Sequence, residues 1–225
     1  MRRRNRTHHS WALRCPRCRL HTDLCACALL TPMTVRTQVV LVSHVVEHRK
    51  PTNTGHLAVA CLENARLVRR GQYDRTAAAI VFDGATDPIL LFPSRDAVPL
   101  DQWQAARGPT ARPVTLVVPD GTWRQAKRVR ARVPGLAQIP CVKLPDSLFS
   151  TYRLRHARAV GQLATLEAIA HALHILESPE VGARLLQIFR VVVDRALWSN
   201  GRLTDEEVTG GLPRGASQQG PRPPP

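Results

Sequence analysis

The sequence contains few lysines and few aromatic residues, and it has no hydrophobic run long enough to cross a bilayer. Its longest apolar stretches, VTLVVP and QVVLVSHVV, are far shorter than the ~20 residues that a membrane-spanning helix needs. The basic segment MRRRNRTHHSWALR is not followed by the apolar core of a signal peptide. We therefore expect a cytoplasmic protein that has no membrane partner.

The positive charge of the chain is carried almost entirely by arginine. Lysine and arginine together number 32 against 17 acidic residues, which gives a formal net charge of +15, and the only lysines are Lys50, Lys127 and Lys143. Such a charge favours a polyanionic partner, most simply a nucleic acid, because neutralising phosphates releases counterions. A GC-rich genome would also enrich arginine, so the charge alone is equally compatible with a solvated basic surface.

Apolar patterns along the chain predict alternating strands and helices. Strands are expected at 34–43, 78–82 and 89–92, in the run VTLVV that starts at Val114, and at 138–144. Helices are expected at 57–68 and in the amphipathic segments GQLATLEAIAHALHILE and VGARLLQIFRVVVDRALW. The alternation predicts an α/β fold with a mostly parallel sheet that is covered by helices on both faces.

Four of the six cysteines lie close together in the segment CPRCRLHTDLCAC. Cys15 and Cys18 have C-x2-C spacing, while Cys25 and Cys27 have C-x-C spacing. Two such pairs can form the tetrahedral four-thiolate shell that structural zinc prefers, so we predict a zinc knuckle here. Disulfides are disfavoured in a cytosolic chain, and an iron–sulfur centre is the remaining competitor.

A carboxylate, a glycine and a tryptophan follow the apolar run at Val114, in the sequence PDGTW. Asp120 is expected at the carboxyl end of a parallel strand, where ligands of open α/β sheets collect, and Gly121 permits a tight turn. Thr122 can cap the helix that follows. Asp120 could take a proton or orient a substrate. The alternative is an ordinary Asp-Gly turn in which Trp123 only anchors the core.

Five motifs in a consistent order resemble those of the DTW-domain family. They are CPRC with CAC, His44 and Glu47 with the following NTG, DGTW, STYRLR, and ATLEA. The resemblance runs from Cys15 to about Trp198. It implies a tRNA-uridine aminocarboxypropyltransferase, which moves the 3-amino-3-carboxypropyl group of S-adenosylmethionine to N3 of a tRNA uridine. It also implies a SPOUT-like fold whose C-terminal part is knotted around the cofactor, a rare exception among folds.

The resemblance, the cysteine spacing and the basic segment next to Trp123 together suggest roles for particular residues. The catalytic residues would be Asp120, Thr122 and Trp123, with Asp120 either removing the N3 proton or positioning the base. The cofactor-binding residues would be Asn53, Thr54, Gly55, Arg155, Thr165 and Glu167. The tRNA-binding residues would be Arg124, Lys127, Arg128, Tyr152 and Arg153. The metal ligands would be Cys15, Cys18, Cys25 and Cys27.

The resulting organisation has four parts. Residues 1–14 form a basic N-terminal tail, 15–32 the zinc knuckle, 33–205 the α/β catalytic domain, and 206–225 a disordered C-terminal tail with little apolar content. Two other functions remain open: a zinc-knuckle RNA-binding protein without catalysis, and an S-adenosylmethionine-dependent RNA methyltransferase. Binding of S-adenosylmethionine and the identity of the sulfur by-product would separate the three.

Overall fold

The chain folds around one six-stranded sheet. The computed structural model describes residues 13–71, 79–108, 111–154 and 162–218. The strands are β1 (Gln38–His44), β2 (Ala65–Arg70), β3 (Asp87–Leu91), β4 (Val98–Pro99), β5 (Val114–Asp120) and β6 (Cys141–Lys143). Their order in the sheet is β2-β1-β5-β3-β6-β4, and each neighbouring pair is parallel. The predicted mostly parallel α/β sheet is confirmed.

Seven α-helices accompany the sheet in the described part of the chain. They are α1 (Val45–His48), α2 (Gly55–Cys61), α3 (Leu100–Ala105), α4 (Trp123–Lys127), α5 (Val129–Arg132), α6 (Thr165–Leu176) and α7 (Pro179–Ser199). The two longest, α6 and α7, coincide with the two amphipathic patterns in the sequence. Helix α7 begins where Ser178 accepts a hydrogen bond from the Val181 amide and Pro179 occupies the first turn, a standard helix start.

The sheet is buried on both faces because its central strands are apolar throughout. On β1, Val39 and Leu41 belong to the larger core, which contains the buried faces of α2, α6 and α7. Val40 and Val42 alternate onto the opposite face, where they join a smaller core that includes Val129 of α5. This two-sided burial is typical of parallel sheets and confirms the predicted layering.

The boundaries of several elements differ from the sequence-based expectation. The helix predicted at 57–68 ends at Cys61, and residues 65–70 instead form β2, in which Leu67 lies beside Leu41 of β1. A short apolar run fits both periodicities, and pairing along β1 decides in favour of the strand. Residues 79–82 of the strand predicted at 78–82 are irregular, although Ile80 is buried. Residue 78 lies outside the described residues.

Residues 206–218, which the sequence places in a disordered tail, pack against the folded domain. Val208 is buried, Thr209 donates to the buried carboxylate of Asp194, and Ser217 donates to Asp23 in the four-cysteine segment. A few such anchors suffice to order a segment of low overall hydrophobicity. Residues 219–225 and most of the predicted N-terminal tail lie outside the described residues, and the knot stays a prediction.

No helix in the described ranges is both long and apolar enough to traverse a bilayer. The cytoplasmic location remains an expectation from the sequence.

Candidate functional site

Asp120 stands at the carboxyl end of β5 and is almost completely buried. Its Oδ2 accepts hydrogen bonds from Ser43 Oγ at 2.5 Å and Asn53 Nδ2 at 2.7 Å, while its Oδ1 accepts from Thr165 Oγ1 at 2.7 Å. A carboxylate has about four acceptor positions, so three are occupied. Asp120 therefore joins the end of β1, the loop before α2 and the start of α6.

Strand register and one glycine bring these groups together. Ser43 and Asp120 are direct neighbours across the β1–β5 ladder, so both side chains lie at the same edge of the sheet. A Cβ atom on Gly55 would lie 2.9 Å from Leu41 Cδ2 and 3.2 Å from Asp120 Cγ. The absent side chain lets the loop carrying Asn53 approach the strand end, which explains a glycine at this position.

Glu167 organises the other wall of the site. Its buried carboxylate accepts from Ser150 Oγ at 2.6 Å, from Thr151 N at 2.7 Å and Oγ1 at 2.9 Å, and from Ala164 N at 2.8 Å. These bonds fix the segment before Tyr152 to the beginning of α6. Glu167 does not line the cavities described below, so contact with the cofactor stays a prediction, and the geometry gives it a positioning role.

A polar cleft of about 750 Å³ opens at this edge of the sheet. Most of the residues predicted as catalytic or cofactor-binding line it: Asn53, Thr54, Asp120, Thr122, Trp123 and Thr165. So do Arg124 and Tyr152, which were predicted to bind tRNA. The structure thus brings residues from four separate sequence motifs together in one cleft. Their order in the sequence does not by itself predict this.

A smaller apolar pocket of about 140 Å³ adjoins the polar cleft. The two share Gly121, Trp123, Leu163 and Thr165 in their walls. Among the other residues that line the apolar pocket, Phe92, Pro93, Leu144, Pro145 and Leu148 follow β3 and β6, and Lys143 and Asp146 are the charged ones. The Trp123 ring packs on Phe92 with centroids 5.8 Å apart and remains 44% exposed, so it presents an aromatic surface at the junction.

The basic segment after Trp123 forms two short helices that break at Arg128. Thr122 caps α4 through reciprocal hydrogen bonds with Gln125, as its position before the helix predicted. Arg124, Lys127 and Arg128 are exposed, and none of them forms an ion pair within the described residues. Their charges are therefore free to meet an external anion.

The remaining predicted tRNA and cofactor residues have mixed surroundings. Tyr152 is buried, packs on Phe189 with ring centroids 5.6 Å apart, and donates its hydroxyl to the Thr52 carbonyl. Arg153 pairs with the buried Asp194 at 2.5 Å. Both contacts hold the segment in place, and tRNA contact by either residue stays a prediction. Arg155 lies outside the described residues.

The four predicted metal ligands converge. The Sγ atoms of Cys15, Cys18, Cys25 and Cys27 all lie within 4.8 Å of one another, and all four are free thiols. The Cys15 to Cys27 separation is 3.3 Å and the Cys18 to Cys25 separation is 3.8 Å. Zinc–sulfur bonds of about 2.3 Å in a tetrahedron place sulfurs about 3.8 Å apart, so the cluster fits such an ion. Cys61 and Cys141 are buried core residues, as predicted.

Three polar residues of the site had no role assigned to them from the sequence, although Glu47 and Ser150 lie in motifs that the sequence shares with the family. Ser43 lies within an apolar run and was interpreted only as part of the strand. A polar residue at the end of a predicted strand could have indicated a site residue. Glu47 is buried, lines the polar cleft and pairs with Lys50. Ser150 lines the cleft and bonds to Glu167.

Nearby, burial and then the charge of Arg19 lower the pKa of His56 to about 3, so His56 is neutral at pH 7.

An open parallel sheet with a polar cleft at its carboxyl edge and a four-thiol cluster beside it defines an α/β protein with a ligand-binding site. The model of the DTW domain matches residues 12–197, most of the chain. The chain therefore belongs to the DTW domain family.

Curated relatives agree with this assignment. A Drosophila melanogaster protein named tRNA-uridine aminocarboxypropyltransferase 2 is 34% identical over 183 residues, which cover 77% of this chain and 71% of the relative. Proteins of the same name from Mus musculus and Macaca fascicularis are 30% and 28% identical; each match covers 72% of this chain and 56% of the relative. The chain thus spans little more than half the length of these two mammalian proteins.

One solved structure is also similar. It is the SAM-dependent rRNA:acp-transferase Tsr3 from Vulcanisaeta distributa, with a TM-score of 0.44 and 19% identity over 78% of this chain and 85% of that chain.

Proposed function

We propose that this protein transfers the 3-amino-3-carboxypropyl group of S-adenosylmethionine to N3 of a uridine in tRNA. Family membership and relatives that carry this activity in their names support the proposal. The observation that carries it is the buried Asp120 cluster, which opens into a polar cleft beside an apolar pocket. Such a pair of cavities suits a co-substrate that has a flat aromatic base at one end and a charged amino-acid group at the other.

The two cavities divide the co-substrate. The apolar pocket takes the adenine and the methylthio side of the sulfonium between Phe92 and Leu148. The polar cleft takes the aminocarboxypropyl arm and the uracil, with Trp123 and Thr165 at the junction. Holding the arm, and not the methyl group, toward N3 selects the carbon that is transferred, because positioning dominates the barrier of such displacements.

The reaction balances without a further reagent. The N3 nitrogen of uridine attacks the arm's carbon next to sulfur, an N–C bond forms, and the C–S bond breaks. The electron pair of that bond returns to sulfur, which leaves as the neutral thioether methylthioadenosine. The N3 proton passes to a base or to water.

Asp120 is the candidate for handling or orienting the N3 edge. Three of its acceptor positions are filled by Ser43, Asn53 and Thr165, which leaves one for an incoming N–H group. Because three donors hold the Asp120 carboxylate in one position, it is suited to orienting the uracil. Glu47 is a second buried carboxylate lining the same cleft. It pairs with Lys50, so the ammonium group of the arm would bind there by displacing or adjoining that lysine.

Zinc would have a structural role. Four cysteine thiolates would close its coordination shell, so no position remains for substrate or water. The ion would instead fix the segment 15–27 against α7, where Arg195 donates to the carbonyls of Leu24 and Cys25.

The test is a reaction of purified protein with bulk tRNA and S-adenosylmethionine, followed by mass spectrometry of the digested nucleosides and small molecules. The proposal predicts a uridine heavier by one aminocarboxypropyl group together with methylthioadenosine. A methylated nucleoside with S-adenosylhomocysteine would instead identify a methyltransferase. Tight tRNA binding without any product would identify a non-catalytic RNA-binding protein.

A further inference from the structure

A third cavity, of about 560 Å³, lies beside the polar cleft. The two cavities share Thr52, Asn53, Thr54 and Tyr152 as a common wall. The far side of the third cavity is formed by the four-cysteine segment and by α7, whose Val192, Val193 and Ala196 line it. The two cavities therefore lie next to each other, on either side of the Asn53 loop.

Arginine dominates the charge of the third cavity, which we call the arginine cleft. Arg14, Arg19 and Arg202 line it, and no Asp or Glu is among the described residues of its lining. Among the described residues, none of these three arginines pairs with a carboxylate. The polar cleft differs, because Glu47 and Asp120 line it. The arginine cleft thus concentrates positive charge that no described carboxylate contacts in an ion pair.

The arginines are held by backbone groups that position them without cancelling their charge. Arg14 Nη1 donates to the Arg19 carbonyl at 2.9 Å, and Arg19 Nη1 donates to the His48 carbonyl at 2.7 Å. The Nε atom of Arg14 is buried and has no hydrogen-bond acceptor in the part of the chain that the structure describes. A half-buried guanidinium with an unmet donor and no counter-charge is costly, and an anion bound in the cleft would relieve that cost.

The backbone at Arg19 supports a ligand-directed role. Arg19 closes the turn after Cys18 by donating its amide to the Cys15 carbonyl, and it does so with a φ of 63°. That left-handed conformation suits glycine and is uncommon for other residues. Glycine would close the same turn without strain, but it would leave the cleft without the Arg19 side chain.

We propose that the arginine cleft binds the phosphodiester backbone of the RNA strand next to the uridine that occupies the polar cleft. This inference rests on the proposed function in taking RNA as the substrate. The guanidinium fork matches phosphate oxygens, and the shared wall places the two clefts side by side, so neighbouring nucleotides of one strand would occupy both. The contact is independent of sequence and complements the exposed basic residues of α4 on the other side of the polar cleft.

The test is tRNA binding measured across a range of salt concentrations for Arg19→Gln/Arg202→Gln. The matched control is Arg36→Gln/Arg66→Gln, which removes the same charge from exposed residues that line none of the three cavities. Each lost phosphate contact lowers the slope of log K against log salt by about one. We therefore expect the slope to fall by about two for the cleft variant and to change much less for the control.

Equal slopes for the two double variants would overturn the inference. Weaker competition by inorganic pyrophosphate in the cleft variant, with an unchanged tRNA slope, would also overturn it and identify a site for small anions. Thermal unfolding and bound zinc are measured in parallel. If Arg19→Gln disturbs the neighbouring cysteines, the exposed Arg202→Gln alone must lower the slope by about one. Product formation by the wild-type protein is measured in a separate assay. The salt dependence of tRNA binding can therefore confirm or contradict the RNA contact even if no product forms.

Discussion

Ser43 and Asp120 lie side by side at the carboxyl ends of β1 and β5, and the Ser43 hydroxyl donates to Asp120 Oδ2 at 2.5 Å. Asn53 and Thr165 complete the set of donors around the same carboxylate. The cluster therefore requires an acceptor at position 120, and its partners come from three distant parts of the chain.

Replacing Asp120 with Asn tests this requirement. An amide presents N–H groups to at least one of the three donors, which leaves buried donors without an acceptor at a cost of about 1–3 kcal/mol. We expect turnover to fall by about a hundredfold or more. Asp101→Asn, at an exposed position on α3, is the control. An Asp120→Asn protein that is folded, binds tRNA and turns over at a near-normal rate would remove Asp120 from the mechanism.

Gly55→Ala tests the close approach of the Asn53 loop to the strand end. The added methyl group would lie within 2.9 Å of Leu41 Cδ2 and 3.2 Å of Asp120 Cγ. We expect a loss of about 1–3 kcal/mol in the free energy of unfolding, together with reduced turnover. Gly108→Ala, where a Cβ atom would meet nothing within 4 Å, should leave both unchanged. Equal denaturation midpoints for the two variants would show that the loop accommodates the methyl group.

Trp123→Ala and Trp123→Phe separate aromatic stacking from simple space filling. Stacking of a base on an aromatic ring is worth about 1–3 kcal/mol. The alanine variant should therefore raise KM for tRNA or S-adenosylmethionine roughly tenfold, and phenylalanine should recover most of that loss. The measurement is KM for each substrate with the other saturating. If phenylalanine and alanine perform equally, Trp123 does not act as a stacking surface.

Neutralising Arg124, Lys127 and Arg128 together tests the exposed basic surface formed by α4 and the residue that follows it. All three are solvent-exposed without ion pairs among the described residues, so their loss should weaken tRNA binding and lower its salt slope by about three. A triple variant of Arg36, Arg66 and Arg190, all exposed, removes the same charge elsewhere. Identical slopes for the two triple variants would argue against a local contact.

Cys18→Ser tests the metal centre. Loss of one of four convergent thiols should sharply reduce bound zinc and lower the melting temperature, because structural zinc contributes directly to folding. Cys61→Ala removes a buried cysteine outside the cluster and should keep the full metal content. Zinc per chain is measured by elemental mass spectrometry. Unchanged zinc in Cys18→Ser would exclude the four-cysteine site.

Local patterns predicted much of the site. The spacing of Cys15, Cys18, Cys25 and Cys27 was sufficient to anticipate their convergence, because short turns fix their separation. Asp120 was predicted at a strand end since an apolar run stops at that residue, and the structure places it there. The two long amphipathic helices were likewise predicted from periodicity alone.

Contacts between residues far apart in the chain could not be predicted from local sequence patterns. The hydrogen bonds of Glu167 to Ser150 and Thr151 depend on how α6 packs against the loop that precedes it. From the sequence, Glu167 was explained only as an acidic residue in the first turn of a helix. Residues 65–70 form β2 instead of the end of the predicted helix for the same reason. Their pairing partner, β1, lies outside the local sequence pattern. Residues 206–218 are ordered by contacts with Asp194 and Asp23, which composition does not reveal.

The central claim is that the cleft at Asp120 directs the aminocarboxypropyl carbon, and not the methyl carbon, to the RNA. The most direct measurement supplies S-adenosylmethionine labelled either on the carboxyl carbon or on the methyl carbon and counts the label in purified tRNA. The account predicts incorporation from the carboxyl label only, at a rate about a hundredfold or more lower in Asp120→Asn and unchanged in Asp101→Asn. Incorporation from the methyl label would contradict it.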